Sequence, residues 1–156
     1  MSKTIEKLNH VLADTYTLYL KTQNYHWNVT GPHFDPLHQL FGRQYAALAL
    51  AIDEIAERIR ALGALAPATY KEFEQLKSIG TGNSSYLAEE MVECLYKSHK
   101  KVVETLKGAL AAAEKENDSF TVDMLTERIG AHDKEAWMLA ATLNKSSKTT
   151  ALKEAS

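Results

Sequence analysis

The chain has 156 residues, 45% of them hydrophobic, with only three prolines and seven glycines; this suits one domain with its own core and excludes two ordinary domains or a largely disordered chain. A formal net charge of −2 argues against a basic surface over the whole body of the kind that grips nucleic acid, and leaves only a local basic tail for that role. Cys94 is the only cysteine, so no intramolecular disulfide can form, as in a chain kept in a reducing compartment.

Ile5, Leu8, Leu12, Tyr19 and His26 make one stripe of a helix over about residues 3–28. Gly31-Pro32 ends it, and Asp35-Pro36 reads as N-cap followed by first residue of a second helix. That helix carries Phe41, Tyr45, Leu48, Ile52, Ile55, Ile59 and Leu62 at alternating spacings of four and three, and runs to Gly63. Residues 64–82 form a connection in which Thr69–Ile79 can make a short helix. A third long helix, about 84–115, uses Leu87, Met91, Cys94 or Leu95, Val102, Leu106 and Leu110. After the break at EKENDS, a fourth over about 119–144 aligns Val122, Leu125, Ile129, His132, Ala136, Leu139 and Leu143. With no strand pattern, the expected fold is all-α, a four-helix bundle with an extra short helix between helices two and three. The bundle spans 1–144, and a polar tail expected to be flexible spans 145–156.

The first residues lack the apolar segment of a secretion signal, and no apolar run approaches the ~20 residues of a membrane span. The sequon at Asn28-Val29-Thr30 is then a chance match, and the expected location is the cytoplasm. Three of the six histidines, His26, His33 and His38, fall within 13 residues. His26 continues the inward stripe of helix one, and His38 sits in the first turn of helix two. Asp53 and Glu57 are four apart and share a face beside the apolar seam. In isolation such a pair is more often a solvated face, with Asp53 or Glu54 pairing Arg58. Two imidazoles and two carboxylates, however, form a nitrogen and oxygen donor set suited to iron or zinc. His38 and Asp53 lie 15 residues apart on one helix, which separates them by ~22 Å. They can share an ion only if a second subunit supplies one half, as in an isologous dimer that forms two such sites. Among the remaining histidines, His33 suits a turn or surface role, His132 and His10 structural or contact positions, and His99 a solvated face.

The run NYHWNVTGPHFDPLHQLF, followed by DEIAERIRALG, resembles the Dps proteins, the miniferritins of bacteria and archaea. The resemblance covers nearly the whole chain. His26, Trp27, His38, Asp53 and Glu57 match the family motif in type and in spacing. It implies a ferroxidase centre at a two-fold interface, a hollow homo-dodecamer built from two-fold dimers, and Fe(II) oxidised to Fe(III), preferably by hydrogen peroxide rather than dioxygen. Fe(III) then mineralises inside the shell, and removing peroxide together with iron protects DNA. Iron is the implied metal, with zinc as a surrogate. Trp27 is either an electron donor to the centre or an interface anchor. Many members carry an acidic residue four positions after the second histidine, where this chain has Gly42 followed by Arg43. Water then fills that place, or a second iron binds weakly.

Asp118, Asp123 and Glu127 resemble the acidic residues of the family's three-fold pores, through which iron enters, although acids also favour a helix N-terminus for its dipole. Some family members bind DNA through Lys-rich N-terminal tails. Here only Lys3 precedes Ile5. The alternative function is DNA binding and nucleoid compaction through Lys145, Lys148 and Lys153 of the C-terminal tail, added up by avidity over twelve copies and strongly dependent on salt.

Overall fold

The computed structural model describes residues 1–143; the segment 144–156, with its three lysines, lies outside the described residues. Five helices follow in order: α1 (Lys3–Asn28), α2 (Phe34–Ala61), α3 (Tyr70–Leu76), α4 (Ala88–Lys115) and α5 (Ser119–Leu143). There is no strand among the described residues. α1 packs on α2 and on α4, α4 packs on α5, and the short α3 lies against α1. This is the expected four-helix bundle with its extra helix. No helix of the described residues is long and apolar enough to cross a membrane.

The seams anticipated from the spacing form the core. Leu8, Leu12, Phe41, Ile55, Ile59, Met91, Leu95, Leu106, Leu125 and Leu139 are all fully buried. Each such side chain contributes roughly 1.5–3 kcal/mol by leaving water. At the undecided position of helix three, Leu95 takes the core and Cys94 is half-buried.

Several boundaries shift for local reasons. α2 begins at Phe34, with His33 as its cap and Asp35 in its first turn. The turn Gly31–Phe34 closes first, Phe34 N–H donating to the Gly31 carbonyl at 3.1 Å, and the first helical bond then closes on His33. Pro36 still falls within the first turn, where an N–H has no intrahelical acceptor to lose. α4 starts at Ala88 instead of near residue 84, because Asn83 turns the chain. Its side chain accepts from Ser85 N–H at 2.9 Å and its carbonyl from Tyr86 N–H at 3.2 Å, local bonds that compete with helix. Leu87, expected in the core, is instead the exposed residue preceding α4, its N–H held by the Glu90 carboxylate at 2.7 Å.

Contacts between distant residues fix the ends. Glu116, just past α4, accepts the Lys3 and Thr4 N–H groups at the start of α1. Asp14 is wholly buried and accepts from the Ser78 N–H (2.6 Å), the Ser78 hydroxyl (2.7 Å) and the Thr105 hydroxyl (2.8 Å). One carboxylate thereby ties the α3–α4 connection to both α1 and α4.

His99, expected on a solvated face, is buried, with 1% of its surface exposed. Its Nδ1 meets Nδ1 of His132 at 2.9 Å, and Arg128 Nη2 lies 3.3 Å from Nε2 of His132. Arg128 can only donate, so His132 accepts at Nε2, carries its proton on Nδ1 and donates it to His99. Burial lowers the pKa of both imidazoles, that of His99 to about 3, with Arg128 adding to the effect on both. The helical spacing of His99 alone did not show that His132, on another helix, would draw it inward.

Candidate metal centre

The end of α1 and the start of α2 meet through their histidines. His26 Nδ1 donates to the His38 carbonyl at 2.6 Å, and His38 Nδ1 donates to the His26 carbonyl at 2.7 Å. A carbonyl can only accept, so both Nδ1 atoms carry hydrogen and both Nε2 atoms keep a free lone pair. The rings stack with centroids 3.7 Å apart and 14° between planes. This reciprocal clamp fixes tautomer and orientation, as the outer hydrogen bonds of metal-binding histidines do.

Three neighbours complete the surroundings. Phe34 stacks on the outer side of His38, with centroids 5.1 Å apart, and Tyr45 meets His26 edge-on at 5.2 Å. Gly42 lies so close that a Cβ there would stand 3.0 Å from His26 Cε1 and 3.2 Å from Nδ1. Phe34 and Tyr45 were not identified from sequence as shaping the site, and Gly42 was singled out there only for the acid it lacks, not for its contact with His26. Tyr45 and Phe34 carried a signal, since they lie seven after and four before His38 on the same helix face. Trp27, beside His26, is 62% exposed.

Asp53 and Glu57 are exposed on α2, away from the histidines. The competing assignment, in which Asp53 or Glu54 neutralises Arg58, is not what forms. Arg58 Nη2 reaches Asp118 at 2.6 Å and its Nε reaches the Thr121 hydroxyl at 2.8 Å. Among the described residues neither Asp53 nor Glu57 joins an ion pair. Nor does any group of three or more His, Cys, Asp and Glu side chains gather to hold a metal within one chain. The two imidazoles are therefore together where α1 meets α2, and the two carboxylates are farther along α2.

Of the three acids at the start of α5, Asp118 is bound up locally. It accepts from Thr121 N–H at 3.1 Å, from the Thr121 hydroxyl and from Arg58, which makes it the N-cap of α5. Burial alone would raise its pKa, but the bonds from Thr121 and the Arg58 charge outweigh this and hold it below the usual carboxylate range. Asp123 and Glu127 are exposed. His33 is exposed at the α2 cap, and His10 Nδ1 donates to the Leu76 carbonyl at 2.8 Å.

A model of the ferritin-like domain matches residues 5–149. The DNA protection during starvation protein 2 of Bacillus anthracis is 40% identical over 142 residues, covering 91% of this chain and 97% of that protein. The chain belongs to the Dps family of ferritin-like proteins. A crystal structure of a Dps protein from Bacillus brevis superposes with a TM-score of 0.86 at 34% identity, over 92% of this chain and 99% of the other. The Dps protein of Vibrio cholerae O1 gives 0.87 at 30% identity, over 90% and 89%, and is described as a member of a broad superfamily of ferritin-like diiron-carboxylate proteins. Five helices in this order, with the short one between the second and third long helices, are the Dps form of the bundle.

Proposed function

We propose that this Dps protein is an iron-oxidising, iron-storing miniferritin whose active centre is shared by two subunits. The observation that carries the reading is the His26–His38 clamp, which holds two Nε2 lone pairs ready on one protomer. A partner related by a two-fold axis would supply Asp53 and Glu57, and the isologous arrangement makes two centres per dimer. Six dimers would close the dodecameric shell.

Fe(II) is the substrate. Two imidazoles and two carboxylates hold it while leaving coordination positions open to an oxidant. Two Fe(II) ions each give one electron to hydrogen peroxide, the O–O bond breaks, and with two protons two water molecules form. Fe(III) then hydrolyses and deposits as mineral inside the shell. Dioxygen is the slower oxidant, and Zn(II) would occupy the same donors without turning over. Consuming peroxide and iron together protects DNA by chemistry, in keeping with the names and descriptions of the relatives. Asp123 and Glu127, exposed near the start of α5, would line the route for entering iron, with Asp118 closing its helix. Trp27, the exposed neighbour of His26, would give up an electron or anchor the partner.

The test is oxidation of Fe(II) by peroxide. The wild-type protein yields soluble ferric cores, whereas His26→Ala combined with Asp53→Ala oxidises iron no faster than buffer. Equal rates for the two proteins would remove the catalytic reading.

A further inference from the structure

Gly42 lies in the interior of the 28-residue helix α2, where glycine disfavours helix relative to alanine. Its backbone does not call for glycine, since only Gly31 and Gly63 among the glycines have positive φ. What distinguishes it is space. A Cβ at Gly42 would stand 3.0 Å from His26 Cε1 and 3.2 Å from Nδ1, whereas at Gly108 and Gly130, also inside helices, a Cβ would meet nothing within 4 Å.

The His26 ring has little room to yield. Its Nδ1 is held at 2.6 Å by the His38 carbonyl, one face is covered by the His38 ring at 3.7 Å, and Tyr45 stands edge-on at 5.2 Å. Any movement that relieves a Cβ at position 42 must lengthen the Nδ1 bond or unstack the rings. Both contacts set where the His26 Nε2 lone pair points.

We propose that Gly42 is a positioning residue for the metal centre: the side chain it lacks is the space in which the His26 imidazole is clamped. Any side chain at position 42 would push the His26 ring out of this placement by a few tenths of an ångström. The half-centre given by this end of the protomer is therefore imidazole alone, and a second iron must take its oxygen ligands from water or from the partner. The inference rests on the reading of His26 as an iron ligand.

The experiment compares full-length wild type, Gly42→Ala and Gly108→Ala. Both substitutions favour helix by up to about 1 kcal/mol; Gly108→Ala should hold or raise the melting temperature, while in Gly42→Ala the strained clamp should offset that gain. Crystals of metal-free Gly42→Ala should show the His26 ring displaced by a few tenths of an ångström and its Nδ1 bond to His38 lengthened. Titration with Co(II), followed by its visible d–d bands, should show affinity up to about 10-fold weaker than wild type, with an altered band shape, as when an outer-shell hydrogen bond is strained. Gly108→Ala should match wild type in both. Gly42→Ala with the ring in place and an unchanged cobalt spectrum would overturn the proposal, as would a lowered melting temperature with the ring in place. Wild type that takes up no Co(II) would strike at the iron-centre reading instead, and the ring position in the Gly42→Ala crystal would still decide the role of Gly42.

Discussion

A centre divided between subunits can be tested by complementation. His38 and Asp53 are 15 residues apart along α2, ~22 Å at ~1.5 Å per residue, whereas metal–ligand bonds are only about 2 Å long. One variant lacks the imidazoles (His26→Ala with His38→Ala) and the other lacks the carboxylates (Asp53→Ala with Glu57→Ala). Each alone has no complete centre and should oxidise Fe(II) at the buffer rate. Co-expressed in equal amounts, random pairing makes half the dimers mixed, and each mixed dimer has one intact centre and one that lacks all four ligands. The expected rate is about one quarter of wild type. The assay is Fe(II) oxidation by peroxide, followed by ferric absorbance, with subunit composition checked by mass spectrometry. A mixed shell as inactive as its parents, despite confirmed mixing, would refute the divided centre, as would a parent that keeps the wild-type rate.

Asp14→Ala should destabilise the fold by about 1–3 kcal/mol, since the Ser78 N–H and two hydroxyls lose their acceptor; urea unfolding measures it, and a loss below about 0.5 kcal/mol would contradict the clamp. Asp118→Ala should cost about 1–2 kcal/mol through the lost cap, while Asp123→Ala and Glu127→Ala should each change stability by less than about 0.5 kcal/mol and slow iron uptake if they line the inlet. For His99 and His132 the folded pKa is below the unfolded value, so the unfolded chain binds more protons below about pH 6.5. Stability should therefore fall as pH drops from about 6.5 towards 3, by up to about 1.4 kcal/mol per pH unit for each histidine. Melting temperatures across that range check this, and His99→Leu with His132→Leu should flatten the slope.

The helices were legible because burial on a rod repeats every three to four residues, and the seams of α1, α2, α4 and α5 obey that period over most of their length. The motif from His26 to Glu57 was legible for a related reason, since its ligands sit at fixed places on two rods joined by one turn. The repeat also exposed the division of the centre, because a straight helix cannot bring its own residues 38 and 53 together. Tertiary structure decided what depends on pairs far apart in sequence. Arg58 chose Asp118 over its helix neighbours, His99 turned inward to His132, and Glu116 capped a helix that begins over a hundred residues earlier. Gly42 stood out in the sequence as a missing acid, but its contact with His26 came only from the ring that lies against it. A periodic pattern tells which face of a helix is buried, but which atoms meet there depends on how two faces come together in space.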